Sequence, residues 1–260
     1  MTPSRRPRLT AALVAAFLLP AIQVAADELR VMTSGAFTAA FLELAPQFER
    51  ATGHRIAIEA TSSGTGAASI ASRLERGEAI EVVIVDSNAL DSFIRNGQVR
   101  PGTRVDLARS AIGMAVRQGA RKPDISSVDA LRQTLLDARS IAYSSSVSGT
   151  FLSTELFQRL GIADQVLPKS RRIVGERVGA VVARGEAEIG FQQVSELLPE
   201  PGIDFVGPLP AAAQHVMIVA AGIGTAARNV AAAQRLIEFL ASSDAVTTIE
   251  KTALEPFTRR

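Results

Sequence analysis

The chain has 260 residues, with 28 basic and 26 acidic side chains, a single tyrosine, and neither cysteine nor tryptophan. Lack of cysteine excludes a disulfide framework and a lipid-bearing thiol, so stability must come from packing and the protein is expected to be free in solution. Aromatic residues make up only 5%, which disfavours recognition of sugars or bases by stacking, and no Lys/Arg-rich block offers a nucleic-acid or anionic-membrane footprint.

Arg5, Arg6 and Arg8 precede a run over residues 9–19 that is apolar but for Thr10, and Val24-Ala25-Ala26 follows. This is the pattern of a secretory signal peptide over residues 1–26, cleaved after Ala26. The apolar run is about half the roughly 20 residues that a bilayer-spanning helix needs. Cleavage would remove three arginines and no acidic residue, leaving 234 residues with 25 basic and 26 acidic side chains. A chain of that size buries one large core or two modest ones. Export would place it in the periplasm, away from nicotinamide and ATP pools, so no cofactor is expected.

A strand over residues 29–33 runs into Ser34-Gly35-Ala36 and a helix over 37–52 with apolar Phe37, Phe41, Leu44 and Phe48 on one face, stopped by Gly53. A second strand begins at Ile56 and enters Thr61-Ser62-Ser63-Gly64-Thr65-Gly66; a helix over 67–76 follows, closed by Gly77. Val82-Val83-Ile84-Val85 has the continuous apolarity of a buried parallel strand, and a helix leads from Asp86 to Asn96. The pattern restarts with a strand over 111–117, a helix over 128–138 and a strand over 140–143 that enters Ser144-Ser145-Ser146-Val147-Ser148-Gly149-Thr150. Further expectations are helices over 151–160 and 177–184, strands over 189–193, 205–206 and 215–221, and a helix over 226–240. The βα alternation makes this an α/β protein in two halves, lobe 1 over 27–108 and lobe 2 over 109–221, with 222–260 returning to lobe 1. In such sheets ligands sit beyond the carboxyl ends of the strands.

Three Ser/Thr/Gly-rich loops, at 33–35, 61–66 and 144–150, lie between a strand and a helix. A helix amino terminus exposes unpaired N–H groups at the positive end of its dipole, so added hydroxyl donors suit an oxyanion or carboxylate, and glycines let the backbone approach closely. Any one of these loops alone is an ordinary Ser/Thr helix cap. Three at the strand ends of two facing halves mark an anion cleft. His54 and His215 stand alone, without ligand spacing, so no metal site is expected. Ser34 and Ser148 lie in no G-x-S-x-G elbow, and Gly64-Thr65-Gly66 lacks the third glycine of a dinucleotide fingerprint. Arg171, Arg172 and Arg177 are candidates for bidentate pairing with carboxylates, or else solvated charges around a helix start.

The segment Leu29-Arg30-Val31-Met32-Thr33-Ser34-Gly35, the turn Arg73-Leu74-Glu75-Arg76-Gly77-Glu78 and Ile189-Gly190-Phe191 together resemble the periplasmic molybdate-binding protein family, type II solute-binding proteins serving ABC importers. The resemblance implies two lobes, each a mostly parallel sheet flanked by helices, which close by hinge motion around a ligand. It also implies a monomer that presents a small anion to an inner-membrane ABC permease. In that family the oxyanion is held by a serine after the first strand, a serine in the second loop, backbone groups at two helix starts of the other lobe, and a tyrosine hydroxyl. Those positions fall on Ser34, on Ser62 or Ser63, near Ser148 and Gly149, and between Gly175 and Val178, while Gln193 occupies the tyrosine position. The roles so implied are hydroxyl donation by Ser34, Ser62, Ser63 and Thr150, backbone N–H donation by Gly149 and Val178, orientation by Gln193, and carboxylate pairing by Arg177 for an organic ligand.

An amide in place of the tyrosine hydroxyl departs from the tetrahedral-oxyanion pattern. Ile141-Ala142-Tyr143-Ser144, Arg177-Val178-Gly179-Ala180 and Gly190-Phe191-Gln192-Gln193-Val194-Ser195-Glu196-Leu197 are similar to a subgroup of the family that includes bacterial aconitate isomerase, whose activity is an allylic proton shift. Capture of an oxyanion or a di- or tricarboxylate is the first expectation and isomerisation the second. A proton shift needs a base at the acidic C–H, and Tyr143, Glu176 and His215 are the candidates. A tyrosine would need a pKa far below its usual value of about 10.

Overall fold

The computed structural model describes residues 28–61 and 66–257. The expected signal peptide and the residues Ser62 and Ser63 lie outside them.

Alternation of side chains along each strand decides where the cores form. In β1 (Glu28–Thr33) and β3 (Val82–Asp86), Leu29, Val31, Val82 and Ile84 pack on one face of the sheet, and Met32, Val83 and Val85 on the other. Burial on both faces is why β3 reads as unbroken apolar sequence. The first face is covered by α1 (Gly35–Thr52), the second by α2 (Ile70–Glu75) and α3 (Ser87–Arg95), with β2 (Arg55–Ala60) between α1 and α2 in the chain. Asp86 ends β3 and caps α3, its carboxylate accepting the N–H groups of Asn88 at 3.0 Å and Ala89 at 3.2 Å.

The chain continues through β4 (Val105–Ser110) and crosses at Ala111 into a second sheet. That lobe comprises β5 (Ile112–Arg117), α4 (Val128–Asp137), β6 (Ile141–Ser144), α5 (Val147–Phe151), a π-helical turn Leu152–Leu156 and α6 (Phe157–Arg159). It goes on through α7 (Ala163–Val166), β7 (Ser170–Ile173), α8 (Val178–Ala183), β8 (Ile189–Gln193), α9 (Val194–Leu197) and β9 (Ile203–Pro208). The last described elements are β10 (Met217–Ile223), α10 (Val230–Leu240), α11 (Ser243–Lys251) and β11 (Glu255–Pro256).

The six-stranded sheet has the order β11-β4-β10-β3-β1-β2 and the five-stranded sheet β7-β6-β8-β5-β9. The α/β two-lobed class is as expected, and both sheets are mixed. β1 pairs in parallel with β2 and β3, while β10 runs antiparallel to β3 and β4. β6 pairs in parallel with β7 and β8, and β5 is antiparallel to β8 and β9. Because β10 is hydrogen-bonded between β3 and β4, the strand expected at 215–221 belongs to the first sheet. The return expected at 222 therefore comes before Met217. At this second crossing the Gln214 amide accepts from the Ile112 N–H at 2.8 Å and donates to the Ile112 carbonyl at 3.0 Å, tying the two crossings together.

The topology places one crevice in each lobe. The chain leaves β1 for β2 on one side and reaches β3 on the other, and it does the same from β6 to β7 and β8. Each central strand thus ends at a switch point, where helices diverge and leave its carboxyl end open. Ser34 follows β1, and Ser144 closes β6.

Buried Glu81 braces this arrangement. It accepts the Arg30 N–H of β1 at 2.9 Å and the Arg228 N–H of the segment after β10 at 3.1 Å. Glu81→Ala is expected to lower the free energy of unfolding by about 2–4 kcal/mol, since it removes two hydrogen bonds to a charged acceptor; chemical denaturation measures it.

Candidate functional site

A cavity of about 550 Å³ opens between the two switch points. Lobe 1 contributes Ser34, Gly35, Ala36 and Thr38 from the start of α1, and Thr61 with the segment 66–69 ahead of α2. Lobe 2 contributes Ser144, Ser145 and Ser146 after β6, residues 173–177 between β7 and α8, and Gln192, Gln193 and Glu196 from the end of β8 and from α9.

At the lobe 1 wall, Ser34 has the extended backbone of a helix cap, yet its hydroxyl makes no capping bond. That Oγ is buried without a hydrogen-bond partner. Gly35 and Ala36, in the first turn of an 18-residue helix, carry N–H groups with no intrahelical acceptor. A buried hydroxyl, first-turn amides and the positive end of a long helix together favour a negative charge on the ligand.

The lobe 2 wall centres on Glu196. This carboxyl is buried within the cavity lining, and burial pushes its pKa up to about 7, against smaller opposing effects from the charge of Arg177 and a hydrogen bond from Gln192. Gln192 Nε2 donates to Glu196 Oε2 at 2.7 Å, and Gln192 Oε1 accepts the Val178 N–H at 2.9 Å. Across the cleft, Gly35 makes room for it, because a Cβ there would coincide with the Glu196 carboxyl. The adjacent Ser195 hydroxyl donates to the Ala36 carbonyl at 2.8 Å, so α9 of one lobe is seated on the start of α1 of the other.

The residues singled out in the sequence are only partly brought together. Ser34, Arg177 and Gln193 line the cavity. Arg177 faces Glu200 at 3.5 Å. The Gln193 amide is anchored by the Ser110 hydroxyl at 2.8 Å. Ser148, Gly149, Thr150 and Val178 do not line it. The helix expected from residue 151 begins at Val147, which draws the first three of these into its opening turn. Ser148 is fully buried with its hydroxyl 2.9 Å from that of Ser144, and Gly149 packs under the Ser144 carbonyl, where any Cβ would clash. Thr150 is exposed, and the Val178 N–H is spent on Gln192.

Of the expected bases, Tyr143 lies in the lobe 2 core with its ring edge on Phe157, and His215 stacks on Phe151 with ring centres 4.8 Å apart. Glu176 lines the cavity, but its carboxylate pairs with Arg184 at 2.9 Å. The sequence reading missed Glu196 and Gln192 as site residues. Their signal was present in the acidic residue three positions past the end of a buried strand, where open α/β sheets hold their ligands. Among the described residues, no group of three His, Asp or Glu side chains is arranged to hold a metal ion.

Residues 29–254 match the family model of the bacterial extracellular solute-binding protein. The chain belongs to that family. It is 44% identical over 255 residues to an aconitate isomerase from a Pseudomonas species, covering 96% of this chain and 97% of the relative. It is 29% identical over 196 residues to the molybdate-binding protein ModA of Azotobacter vinelandii, covering 73% of each. The solved structure of the periplasmic molybdate-binding protein from Azotobacter vinelandii superposes with a TM-score of 0.71 at 21% identity, covering 89% of this chain and all of that one. Membership fits the two sheets and the crevice between them.

Glu196 makes stability depend on pH. Its folded pKa of about 7 lies above the 4.5 of a free glutamate, so between these values the native state holds a proton that the unfolded chain has released. The stabilisation is complete below about pH 4.5 and is lost as pH rises through 7, by roughly 3 kcal/mol at about 1.4 kcal/mol per unit. Thermal unfolding of Glu196→Gln across pH 4.5 to 8 is expected to lack that decline.

Proposed function

We propose that the protein takes up a small unsaturated polycarboxylate between its lobes and isomerises it, with the interconversion of trans- and cis-aconitate as the reaction. The observation that carries this reading is Glu196: a buried carboxyl with a pKa of about 7 in the cavity lining, poised to give or accept a proton at neutral pH. A carrier that only holds an anion is poorly served by a carboxyl that ionises near neutrality, because the ionised form repels the ligand.

The step is balanced without a cofactor. Ionised Glu196 takes a proton from the methylene carbon next to a carboxylate, so that a C–H bond breaks and its electron pair enters the conjugated system. The double bond migrates, and the proton is delivered to the former vinylic carbon, forming a new C–H bond. Negative charge that builds on the carboxylate oxygens in between is stabilised by the Ser34 hydroxyl, the first-turn amides of α1 and Arg177. Closure of the lobes excludes water and strengthens each of these interactions. The full-length likeness to an aconitate isomerase supports the choice of substrate. Export by the amino-terminal leader, and so a periplasmic location, is part of the same reading.

A second reading, capture of an anion for an ABC permease without turnover, is favoured by the unpartnered Ser34 hydroxyl at the start of α1 and by the likeness to ModA. Incubation of the purified protein with trans-aconitate, followed by chromatography of the cis isomer, separates the two. Conversion at catalytic protein concentration is expected; stabilisation by molybdate with no conversion of aconitate would sink the isomerase reading. Glu196→Gln is expected to lower kcat by about 100-fold or more while aconitate still raises the melting temperature. Ser34→Ala is expected to weaken aconitate binding by about 10-fold, read by calorimetry.

A further inference from the structure

The buried amide of Gln192 joins two groups that have no other reason to share a partner. A backbone N–H only donates, so the Val178 N–H at 2.9 Å fixes Gln192 Oε1 on its own side. The NH2 group must then point the other way, where it donates to Glu196 Oε2 at 2.7 Å. In a neutral carboxyl the carbonyl oxygen is the stronger acceptor, so the oxygen that accepts this bond is the disfavoured place for the proton. Glu196 Oε1 has no hydrogen-bond partner among the described residues, while the residue as a whole lines the cavity.

We propose that Gln192 is a positioning residue: held by the Val178 N–H, it occupies Glu196 Oε2 and leaves the exchangeable proton on Oε1, the oxygen available to the ligand. The inference rests on the isomerase reading for its consequence, though not for its geometry. The surroundings leave Gln192 as the group that sets the direction of the carboxyl. From α1 of the facing lobe the neighbours are Gly35 and Ala36, which carry no charge. From the segment ahead of α8 the charged neighbour is Arg177, paired with Glu200 at 3.5 Å, and Glu176 on the same rim is paired with Arg184. Arg177 acts on Glu196 through its charge, without a hydrogen bond that would distinguish the two oxygens.

The test follows the Glu196 proton directly. In protein labelled with carbon-13 at the glutamate side-chain carboxyls, the resonance that titrates near neutrality and vanishes in Glu196→Gln reports this group. Gln192→Met keeps the side-chain length and removes both hydrogen bonds. Its expected effect is a titration midpoint higher by about one pH unit, a tenfold change in proton affinity, because the ionised form loses its donor. Alongside it, kcat for trans-aconitate is expected to fall on the order of tenfold, with KM within about threefold and the pH profile of kcat/KM displaced by the same unit.

Val178→Pro is the second variant, placing proline at the first position of a helix, where it is tolerated. It removes the tether of Gln192 together with the buried Val178 side chain, so Val178→Ala, which trims the side chain and keeps the N–H, is its control; a shift in the same direction is expected for the proline variant and none for the alanine variant. If Gln192→Met or Val178→Pro folds and leaves both the midpoint and the pH profile where they are in the parent protein, the positioning role is overturned. A shifted midpoint in a protein that never converts aconitate would sink the isomerase reading and leave the orientation of the carboxyl standing.

Discussion

A parallel strand whose two chain neighbours leave it in opposite directions cannot have its carboxyl end covered by its own connections, and everything at the cleft depends on that constraint. β1 and β6 are both such strands, and each delivers serines at its end. Ser34 is held with its backbone N–H on the Ile84 carbonyl at 2.9 Å, so the sheet itself fixes where its free hydroxyl sits. Ser144 is fixed by the matching parallel pairing of β6 with β7. The two lobes thus solve one geometric problem in the same way, without recognisable repetition in their sequences.

What differs between them is charge. Among the described residues the lobe 1 wall carries no charged side chain, only hydroxyls and backbone groups. The lobe 2 wall adds Glu196 and Arg177, a titratable carboxyl and a cation close enough to influence it. An anion binder is served by the first wall alone. The second wall costs stability at neutral pH, since burying a carboxylate in low dielectric is unfavourable, and such a cost is more often met where a proton has to move.

The elements that specify the fold are written locally and were legible. Unbroken apolarity marked β3, a one-sided apolar face marked α1, and Asp86 announced the start of α3. The site was legible in part. Ser34 stood out because a strand, a serine and a glycine precede a long amphipathic helix. The loop after β6 misled, since Ser, Gly and Thr have weak helix propensity. Packing of Gly149 beneath the Ser144 carbonyl overrides that propensity and starts α5 at Val147, burying Ser148 and leaving residues 144–146 to face the cavity. The sheet to which β10 belongs is not encoded in its local sequence, because it depends on long-range pairing with β3 and β4. Glu196 was hidden in a four-residue helix with no periodicity of its own, and its burial comes from a glycine about 160 positions earlier in the chain.

The stitching of Gln214 to both polar groups of Ile112 bears on how the halves can move. Two strands crossing between rigid bodies could shear, twist or bend; two crossings pinned to each other by a shared amide resist sliding and act as one spine. Any opening of the lobes is thereby left a single soft direction, like the covers of a book, which returns the wall carrying Glu196 to the same line of the opposing page.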